Sequence, residues 1–156
     1  MKKVKATLLD LESLPGHYIR RLQQIAVAVF LQETEAHGVT PVQYAALHQV
    51  AKTPGVDQRT LARSIGLDTS TIASVIDRLE ARGLMRRQAS PDDRRVRLLS
   101  LSDEGHRLVD EMRPGILNAQ ERMLAPLSKT ERAEFMRMLR LVVTANNELS
   151  RAPSEA

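Results

Sequence analysis

Nine of the chain's 23 basic side chains fall between Arg59 and Arg97, where they can act together on one polyanion. Only five acidic residues share this segment, so it carries a net charge of +4, while the remaining fourteen basic and fourteen acidic residues cancel. Such a patch favours a partner rich in phosphate. On charge alone, an ordinary solvated surface stays the alternative. The nine residues are Arg59, Arg63, Arg78, Arg82, Arg86, Arg87, Arg94, Arg95 and Arg97.

Small hydroxyl side chains stand at the start of a predicted helix within this segment. Hydroxyls at such a position can approach base edges or phosphates in the major groove of DNA. Arg78, about two turns further on, is long enough for a guanine edge or a phosphate. The alternative is that the hydroxyls only cap and solvate the helix start. The predicted contact residues on this helix are Thr69, Ser70, Thr71, Ser74 and Arg78.

A charged turn between two predicted strands places arginines at the tip of a hairpin. Arg94 and Arg95 suit a narrow minor groove, where the negative potential of DNA is deepest. The neighbouring Asp92 and Asp93 oppose a phosphate backbone, so they require another role. We hypothesise that one of them, preferably Asp93, holds a wing arginine by a bidentate pair and sets its direction. The arginines predicted to contact DNA from this hairpin are Arg86, Arg94, Arg95 and Arg97.

Several function classes lack their signatures in the 156 residues. There is no phosphate-cradling glycine loop, no G-x-S-x-G elbow and no H-E-x-x-H pair, so we predict no catalytic residues. Cysteine is absent and the four histidines are scattered, which predicts no metal site and no cofactor. No apolar run approaches a membrane span, and the basic N-terminus lacks the apolar stretch of a secretory signal. We expect a cytoplasmic protein without membrane contact.

Glycine, proline and capping residues divide the chain into the elements that must position these side chains. The middle helices form a helix-turn-helix around a small apolar core, which leaves the other face of its second helix exposed. That core consists of Leu61, Ala62, Ile65, Leu67, Ile72, Val75, Ile76 and Leu79. Predicted helices run from Leu14 to near Gly38, Thr40 to Thr53, Asp57 to Gly66, Asp68 to Gly83, from Ser102 onward and from Ser128 onward, with strands at 84–88 and 96–101.

The first and last helices are too long and too apolar for a monomer of this size to bury alone. The last helix carries Phe135, Met138, Leu139, Val142 and Val143 at helical spacing. We predict that these faces pack against the same helices of a second copy, giving a two-fold homodimer.

The hairpin and its surroundings resemble the MarR family of winged helix-turn-helix repressors. The resemblance lies in Leu61–Leu84, in Ser90–Arg95 and in the run from Leu99 to Gly105, and the flanking helices match the family's dimerisation region. It implies a mainly α fold with a small β-hairpin wing and a six-helix dimer. It further implies one domain, 1–156, with a DNA-binding lobe at 40–101 and helical dimerisation segments at 8–38 and 102–150. Ser74 departs from the family, since many members have a basic residue there.

The resemblance also implies a function. A member of this family is a homodimer that binds a pseudo-palindromic operator on double-stranded DNA and represses transcription. A small phenolic or aromatic carboxylate releases it. The run Leu14–Phe30 further resembles repressors of nicotinate degradation and, more loosely, those for benzoate-type acids, which would make a hydroxylated pyridine carboxylate the effector. A metal-responsive repressor and a non-specific architectural DNA protein remain the alternatives.

An anionic aromatic effector requires a cationic or hydrogen-bonding group between apolar walls. The first helix offers four such polar residues on one side, and the second helix offers two aromatic ones spaced four apart. We expect Arg20 or Arg21 to bind a carboxylate. The alternative is a salt bridge at the dimer interface for the arginines and a buried core position for His48. The candidate effector residues are His17, Arg20, Arg21, Gln24, Tyr44 and His48.

Overall fold

The structure, a computed structural model, describes residues 8–150. This part of the chain contains six α-helices and a three-stranded antiparallel sheet. In chain order the elements are α1 (Pro15–Glu33), α2 (Pro41–Lys52), β1 (Val56–Asp57), α3 (Gln58–Ser64), α4 (Thr69–Ala81), β2 (Met85–Ala89), β3 (Arg97–Leu101), α5 (Asp103–Leu124) and α6 (Lys129–Ala145).

Side-chain caps set the helix starts where the sequence predicts them. Asp57, Asp68 and Ser102 each accept a hydrogen bond from the backbone N–H three residues on, which satisfies a donor that the helix itself cannot. At the predicted helix starts Thr40 and Ser128, the N-cap side chain and the side chain of the third helical residue each accept from the other's backbone N–H, which forms a capping box. The predicted helix boundaries in the middle of the chain are therefore confirmed to within one or two residues.

The first helix is shorter than predicted. It ends at Glu33, because Thr34 leaves helical geometry with φ −121° and its hydroxyl donates to the Phe30 carbonyl at 2.8 Å. A 3-10 turn, Glu35–His37, then completes the stretch, and Gly38 closes it at φ 60°. The sequence shows Gly38 as the helix-ending residue and gives no sign that the α-helix stops four residues earlier.

The sheet is built around β3, which pairs with β2 on one side and with β1 on the other. β2 and β3 are the predicted hairpin, with Met85 opposite Leu101 and Arg87 opposite Leu99. β1 was not predicted, because two residues are too few to show an alternating pattern. Its pairing of Val56 with Leu99 joins the start of α3 to the wing.

The core lies between the helix-turn-helix, the sheet and the first half of α5. Of the predicted helix-turn-helix core, five residues are buried and three are half-buried. Gly105 lets α5 pass directly over the Leu84 carbonyl, where a Cβ would collide with backbone. The buried five are Leu61, Ala62, Ile72, Ile76 and Leu79, and the half-buried three are Ile65, Leu67 and Val75.

α1 and α5 cross closely near Gly115, where a Cβ would lie 2.6 Å from the Glu33 carbonyl oxygen. Arg122 and Asn118 of α5 both donate to the Glu33 carboxylate, which lowers its pKa, first through Asn118 and then through Arg122. In contrast, α6 buries none of its 17 residues. Within residues 8–150, no helix has both the length and the apolar composition needed to cross a bilayer.

Candidate DNA interface and effector cavity

The exposed face of α4 carries the hydroxyl residues that the sequence singled out. Thr69, Ser70 and Ser74 are exposed and Thr71 is half-buried, while Ile72 and Ile76 face the core. Arg78 is also exposed. The five candidates of this helix therefore share a region of surface that a duplex could reach.

Asp68 holds two of these hydroxyls. Its carboxylate accepts from the Thr71 backbone N–H at 2.8 Å, from the Ser70 hydroxyl at 2.8 Å and from the Thr71 hydroxyl at 2.9 Å. These hydrogen bonds, the Thr71 backbone one foremost, lower the pKa of Asp68 to about 2. Capping thus occupies the hydroxyl protons of Ser70 and Thr71, whereas Thr69 and Ser74 make no side-chain hydrogen bond within residues 8–150.

The tip of the wing contains the bidentate pair that we hypothesised. Arg95 donates from Nε to Asp93 Oδ1 at 3.2 Å and from Nη2 to Oδ2 at 3.3 Å, although its side chain is 91% exposed. The Arg95 side chain and then its backbone N–H hold the pKa of Asp93 below its usual value. Arg94 and Arg97 are exposed. Whether the pair directs Arg95 toward DNA stays a prediction.

Asp92 takes a different position from Asp93. Its backbone N–H donates to the Ser90 hydroxyl at 3.3 Å, and its exposed carboxylate makes no ion pair within the described part of the chain. Of the two aspartates, Asp93 is therefore the one that contacts a wing arginine.

A groove of about 710 Å³ separates the wing from the start of α3. Three arginines line it, two from the wing and Arg59 from α3, which sequence reasoning counted without giving it a role. Arginines on both walls suit a phosphate backbone passing between helix and wing. The lining residues are Asp57, Gln58, Arg59, Thr60, Asp93, Arg95, Val96 and Arg97.

Two further arginines of the basic segment contact protein groups. Arg82, just after α4, donates to the Gly38 carbonyl at 2.8 Å and to the His37 carbonyl at 3.0 Å. Arg87 of β2 donates to Asp77 at 2.6 Å and to Glu80 at 3.2 Å, contacts that raise its pKa, the Asp77 hydrogen bond foremost. Sequence spacing gave no sign of either contact, since Arg82 and its partners are 44 and 45 residues apart.

A second cavity, of about 660 Å³, lies between α2, the end of α3 and α5. Tyr44 and His48 from the candidate effector set line it, with ring centroids 5.9 Å apart, and the Phe30 ring lies 6.2 Å from Tyr44. The rest of the wall is mostly aliphatic. The lining residues are Tyr44, Ala45, His48, Gln49, Ile65, Val109, Arg113, Ile116 and Leu117.

Arg113 brings a positive charge to this cavity, and sequence reasoning missed it. Its Nη2 donates to Asp110 at 3.0 Å, and both side chains are exposed. Burial raises the pKa of Tyr44 while the Arg113 charge opposes that rise, so the phenol stays neutral at pH 7. The sequence signal for this role is weak: Arg113 is a single cationic residue between the apolar Val109 and Ile116 of α5.

The structure separates the six candidate effector residues into two groups. Tyr44 and His48 line the cavity, whereas the four from α1 do not. His48 is exposed, so the alternative of a buried core histidine is wrong: its position on α2 faces the cavity mouth and not the helix packing. The α1 residues are His17, which is half-buried, and the exposed Arg20, Arg21 and Gln24.

Comparison with known proteins identifies the chain. The MarR family profile matches residues 39–96, which contain the helix-turn-helix and most of the wing. A putative transcriptional regulatory protein for the hcr operon of Thauera aromatica is 31% identical over 134 residues, covering 85% of this chain and 81% of the relative. The chain belongs to the MarR family of transcriptional regulators. The HTH-type transcriptional repressor NicR of Pseudomonas putida is 27% identical, covering 90% of this chain and 89% of NicR.

Solved structures of similar proteins share the MarR winged helix-turn-helix fold. PcaV of Streptomyces coelicolor, in complex with its natural ligand, is 39% identical with a TM-score of 0.81, covering 89% of this chain and 98% of PcaV. BpsR of Bordetella bronchiseptica is 28% identical with a TM-score of 0.82, covering 87% of this chain and 97% of BpsR, and 6-hydroxynicotinic acid regulates its DNA binding. CouR bound to a 23-mer DNA duplex is 27% identical with a TM-score of 0.81, over 88% and 99%.

The predicted mainly α winged helix-turn-helix fold and the MarR resemblance are therefore confirmed, and the relatives include NicR and BpsR. The chain is a DNA-binding transcriptional regulator and not an enzyme, as its similarity to MarR regulators shows. Within residues 8–150, no group of three or more histidine, aspartate or glutamate side chains could hold a metal ion.

Proposed function

We propose that this MarR regulator is a homodimeric repressor that binds a pseudo-palindromic operator and is released by a small aromatic carboxylate. One observation carries the DNA-binding part of this proposal. The exposed face of α4 and the arginine-bearing wing tip both belong to the lobe of residues 40–101, whose core is complete within one chain. The similarity to the DNA-bound repressor CouR supports the same mode of binding.

In this proposal α4 enters the major groove and the wing enters the adjacent minor groove. Thr69, Ser74 and Arg78 would read or clamp the major-groove side, since their polar groups are unoccupied within the described residues. Arg94 and Arg95 would occupy the minor groove. Arg59 and Arg97 would contact the phosphates that cross the groove between helix and wing.

The homodimer is supported by the apolar surface of the helical segments, residues 8–38 and 102–150. α6 exposes Leu141, Val142 and Val143 by 55% or more, and α1 exposes Tyr18 and Ile19 by more than half. An isolated monomer seldom leaves apolar surface of this extent on two helices uncovered. A two-fold arrangement of these helices would place two α4 helices on half-sites about one turn of DNA apart.

The effector site is proposed in the cavity between α2 and α5. Arg113 would attract a carboxylate at the mouth, Tyr44 and His48 would bind ring substituents, and aliphatic side chains would cover the ring. The exposed α1 residues, Arg20 and Arg21 first among them, would complete the site from the second protomer. Regulation of BpsR by 6-hydroxynicotinic acid supports a hydroxylated pyridine carboxylate as the effector class.

Release requires only that the effector prefer the conformation that does not fit the operator. A tenfold loss of operator affinity corresponds to about 1.4 kcal/mol of difference between the two states. Ile65 lines the cavity at the C-terminal end of α3, next to the turn that leads into α4. A ligand in the cavity would therefore contact the helix-turn-helix directly.

Sequencing of genomic fragments captured by the purified protein tests the DNA-binding proposal. We expect enrichment of a few pseudo-palindromic sites, each bound at least about a thousandfold more tightly than random duplex. Equal affinity for enriched and random fragments would instead indicate an architectural DNA protein. Chelator treatment should leave binding unchanged, and loss of binding in chelator would support a metal-responsive repressor.

Titration of the protein–operator complex with 6-hydroxynicotinate and 4-hydroxybenzoate tests the effector proposal. We expect one of these acids to release the operator, and Arg113→Gln to weaken that release at least tenfold while operator affinity stays constant. Arg107→Gln, a second exposed arginine of α5 outside the cavity lining, is the matched control. No binding heat and no shift in operator affinity with either acid would contradict this part.

A further inference from the structure

Two carboxylates stand on the helix that the proposed function places in the major groove. Asp77 follows Ser70 by seven residues and Ser74 by three, so it lies on their face of α4, and its side chain is 62% exposed. Glu80 lies three residues further on and is also exposed. Carboxylates at this position would be repelled by the phosphates of a bound duplex.

Arg87 is placed to cancel this repulsion from inside the protein. The β2–β3 register sets Arg87 opposite the fully buried Leu99, so both side chains lie on the sheet face that packs against the helices. The Arg87 side chain is correspondingly 25% exposed. From there its Nη2 reaches Asp77 at 2.6 Å and Glu80 at 3.2 Å.

The neighbouring Arg86 differs from Arg87 in the direction of its side chain and in its ion pairs. Alternation along the strand directs its side chain to the opposite face of the sheet, and it is exposed. It makes no ion pair within residues 8–150. The two adjacent arginines therefore carry the same charge on the same strand, but only Arg87 contacts the acidic residues of α4.

We propose that Arg87 is a positioning residue for DNA binding that acts through Asp77 and Glu80, by cancelling their charge and fixing the Asp77 carboxylate, and does not touch the duplex. This inference rests on the proposed function, in which α4 approaches DNA. The salt bridge between β2 and α4 also orients the helix relative to the wing, so both parts of the interface approach one duplex together.

The alternative is that Arg87 is one more phosphate-binding arginine. The two roles differ in whether the effect of removing Arg87 on DNA affinity depends on Asp77 and Glu80. A phosphate contact contributes the same factor whether or not Asp77 and Glu80 are charged, and its loss lowers the salt dependence of binding by about one ion. A compensating arginine matters only while the two carboxylates are charged.

A double-mutant cycle separates these roles. The full-length dimer is prepared as wild type, Arg87→Gln, Asp77→Asn/Glu80→Gln, and the variant with all three substitutions. Each is titrated with a short duplex of random sequence and with a duplex that the wild type selects from a random library, at several salt concentrations. Arg86→Gln, alone and with the two acid substitutions, is the matched control.

We expect Arg87→Gln to weaken binding about tenfold in the wild-type background, because two uncompensated carboxylates then face the phosphates. In the background lacking both acids, the same change should alter affinity by less than about threefold and leave the salt slope unchanged. Arg86→Gln should have an equal effect in both backgrounds. Should Arg87→Gln by itself prevent folding, the comparison within the acid-free background still decides.

Equal losses for Arg87→Gln in both backgrounds, with a salt slope lower by about one, would overturn the inference and assign Arg87 to a phosphate. No effect of Arg87→Gln in either background would overturn it too. These outcomes leave the proposed function standing, since they require a wild type that binds DNA. Failure of the wild type to bind either duplex would instead overturn the proposed function itself.

Discussion

The lobe of residues 40–101 and the helical segments on either side of it differ in how far they bury their apolar side chains within one chain. In the lobe, the predicted core is buried or half-buried within one chain, and helix starts are fixed by their own caps. In α6, 17 residues form a helix with a capping box, and none of them is fully buried. The lobe thus finds its buried contacts within one copy, with α5 covering part of its core, whereas α6 leaves its apolar face exposed, and in the proposed dimer a second copy would cover that face.

This difference shows that local sequence signals determine the two regions to different degrees. Local signals such as caps, glycines and apolar spacing suffice where the buried face has its partner nearby in the same chain. An amphipathic helix without such a partner folds locally through its capping box, but its stability depends on a contact supplied by another molecule.

Charged residues on the apolar face of α6 should abolish the dimer. Leu139→Glu/Val142→Glu buries carboxylates in the proposed interface, and we expect a monomer that has lost operator binding and unfolds at a lower temperature. Light scattering coupled to size exclusion measures the mass. Thr144→Glu, which adds one carboxylate on the opposite face of α6, should stay dimeric. A dimeric double variant would show that the contrast between the two regions is wrong.

Loss of the Asp93 carboxylate should weaken DNA binding although it makes the protein more basic. Without the bidentate pair, Arg95 is no longer held in one direction, and we expect Asp93→Ala to bind operator about tenfold more weakly. Fluorescence anisotropy gives the affinity. Asp92→Ala, which removes a carboxylate without an ion pair, should be neutral or bind more tightly. Tighter binding by Asp93→Ala would refute the orienting role.

The contact between the end of α4 and the turn after α1 should contribute modestly to stability. Arg82→Gln removes two hydrogen bonds to the His37 and Gly38 carbonyls, and we expect the melting temperature to fall by about 2–4 °C. Arg78→Gln, one helical turn earlier and without a described partner, should leave the melting temperature unchanged. Equal melting temperatures for all three proteins would mean that this contact does not join the two regions.

The smallest effect concerns the cap of α4 and depends on pH. The pKa of Asp68, about 2 in the folded chain, lies below its usual value near 3.8, so the carboxylate stabilises the fold above pH 4. That contribution is lost as the pH falls toward 2. We expect Asp68→Ala to melt below the wild type at pH 7 and the difference to shrink between pH 4 and pH 2. A constant difference over this range would contradict the capping role of the charge.

The sequence predicted the lobe well because its determinants are local. Thr40, Asp57 and Asp68 begin helices by hydrogen bonds to residues three positions away, and the hairpin follows from alternation around a polar turn. The two-residue strand β1 escaped notice, since its identity depends on pairing with Leu99, 43 residues further on. The prediction extends α1 to Gly38 because that glycine is the first helix-ending residue of the stretch, and Thr34–His37 carries too few apolar residues to show where the α-helix stops.

The candidate sites were predicted less completely, because their geometry depends on contacts between distant elements. The exposed position of Ser74 follows from the helix pattern, and that of Arg94 follows from the hairpin pattern. The roles of Arg87 and Arg113 do not, since one depends on which sheet face packs against α4 and the other on which stretch of α5 lies over α2. No pattern within α1 shows that its polar residues stand apart from the cavity of their own chain.

Charge reversal at the wing tip tests the central claim most directly. Arg94→Glu/Arg95→Glu is compared with the wild type and with Lys129→Glu/Arg140→Glu, which changes the net charge equally outside the lobe. Operator affinity is measured by anisotropy, with dimer mass and melting temperature as controls. We predict that the wing variant binds at least about a hundredfold more weakly while remaining a folded dimer. Unchanged operator affinity in that variant would contradict the account.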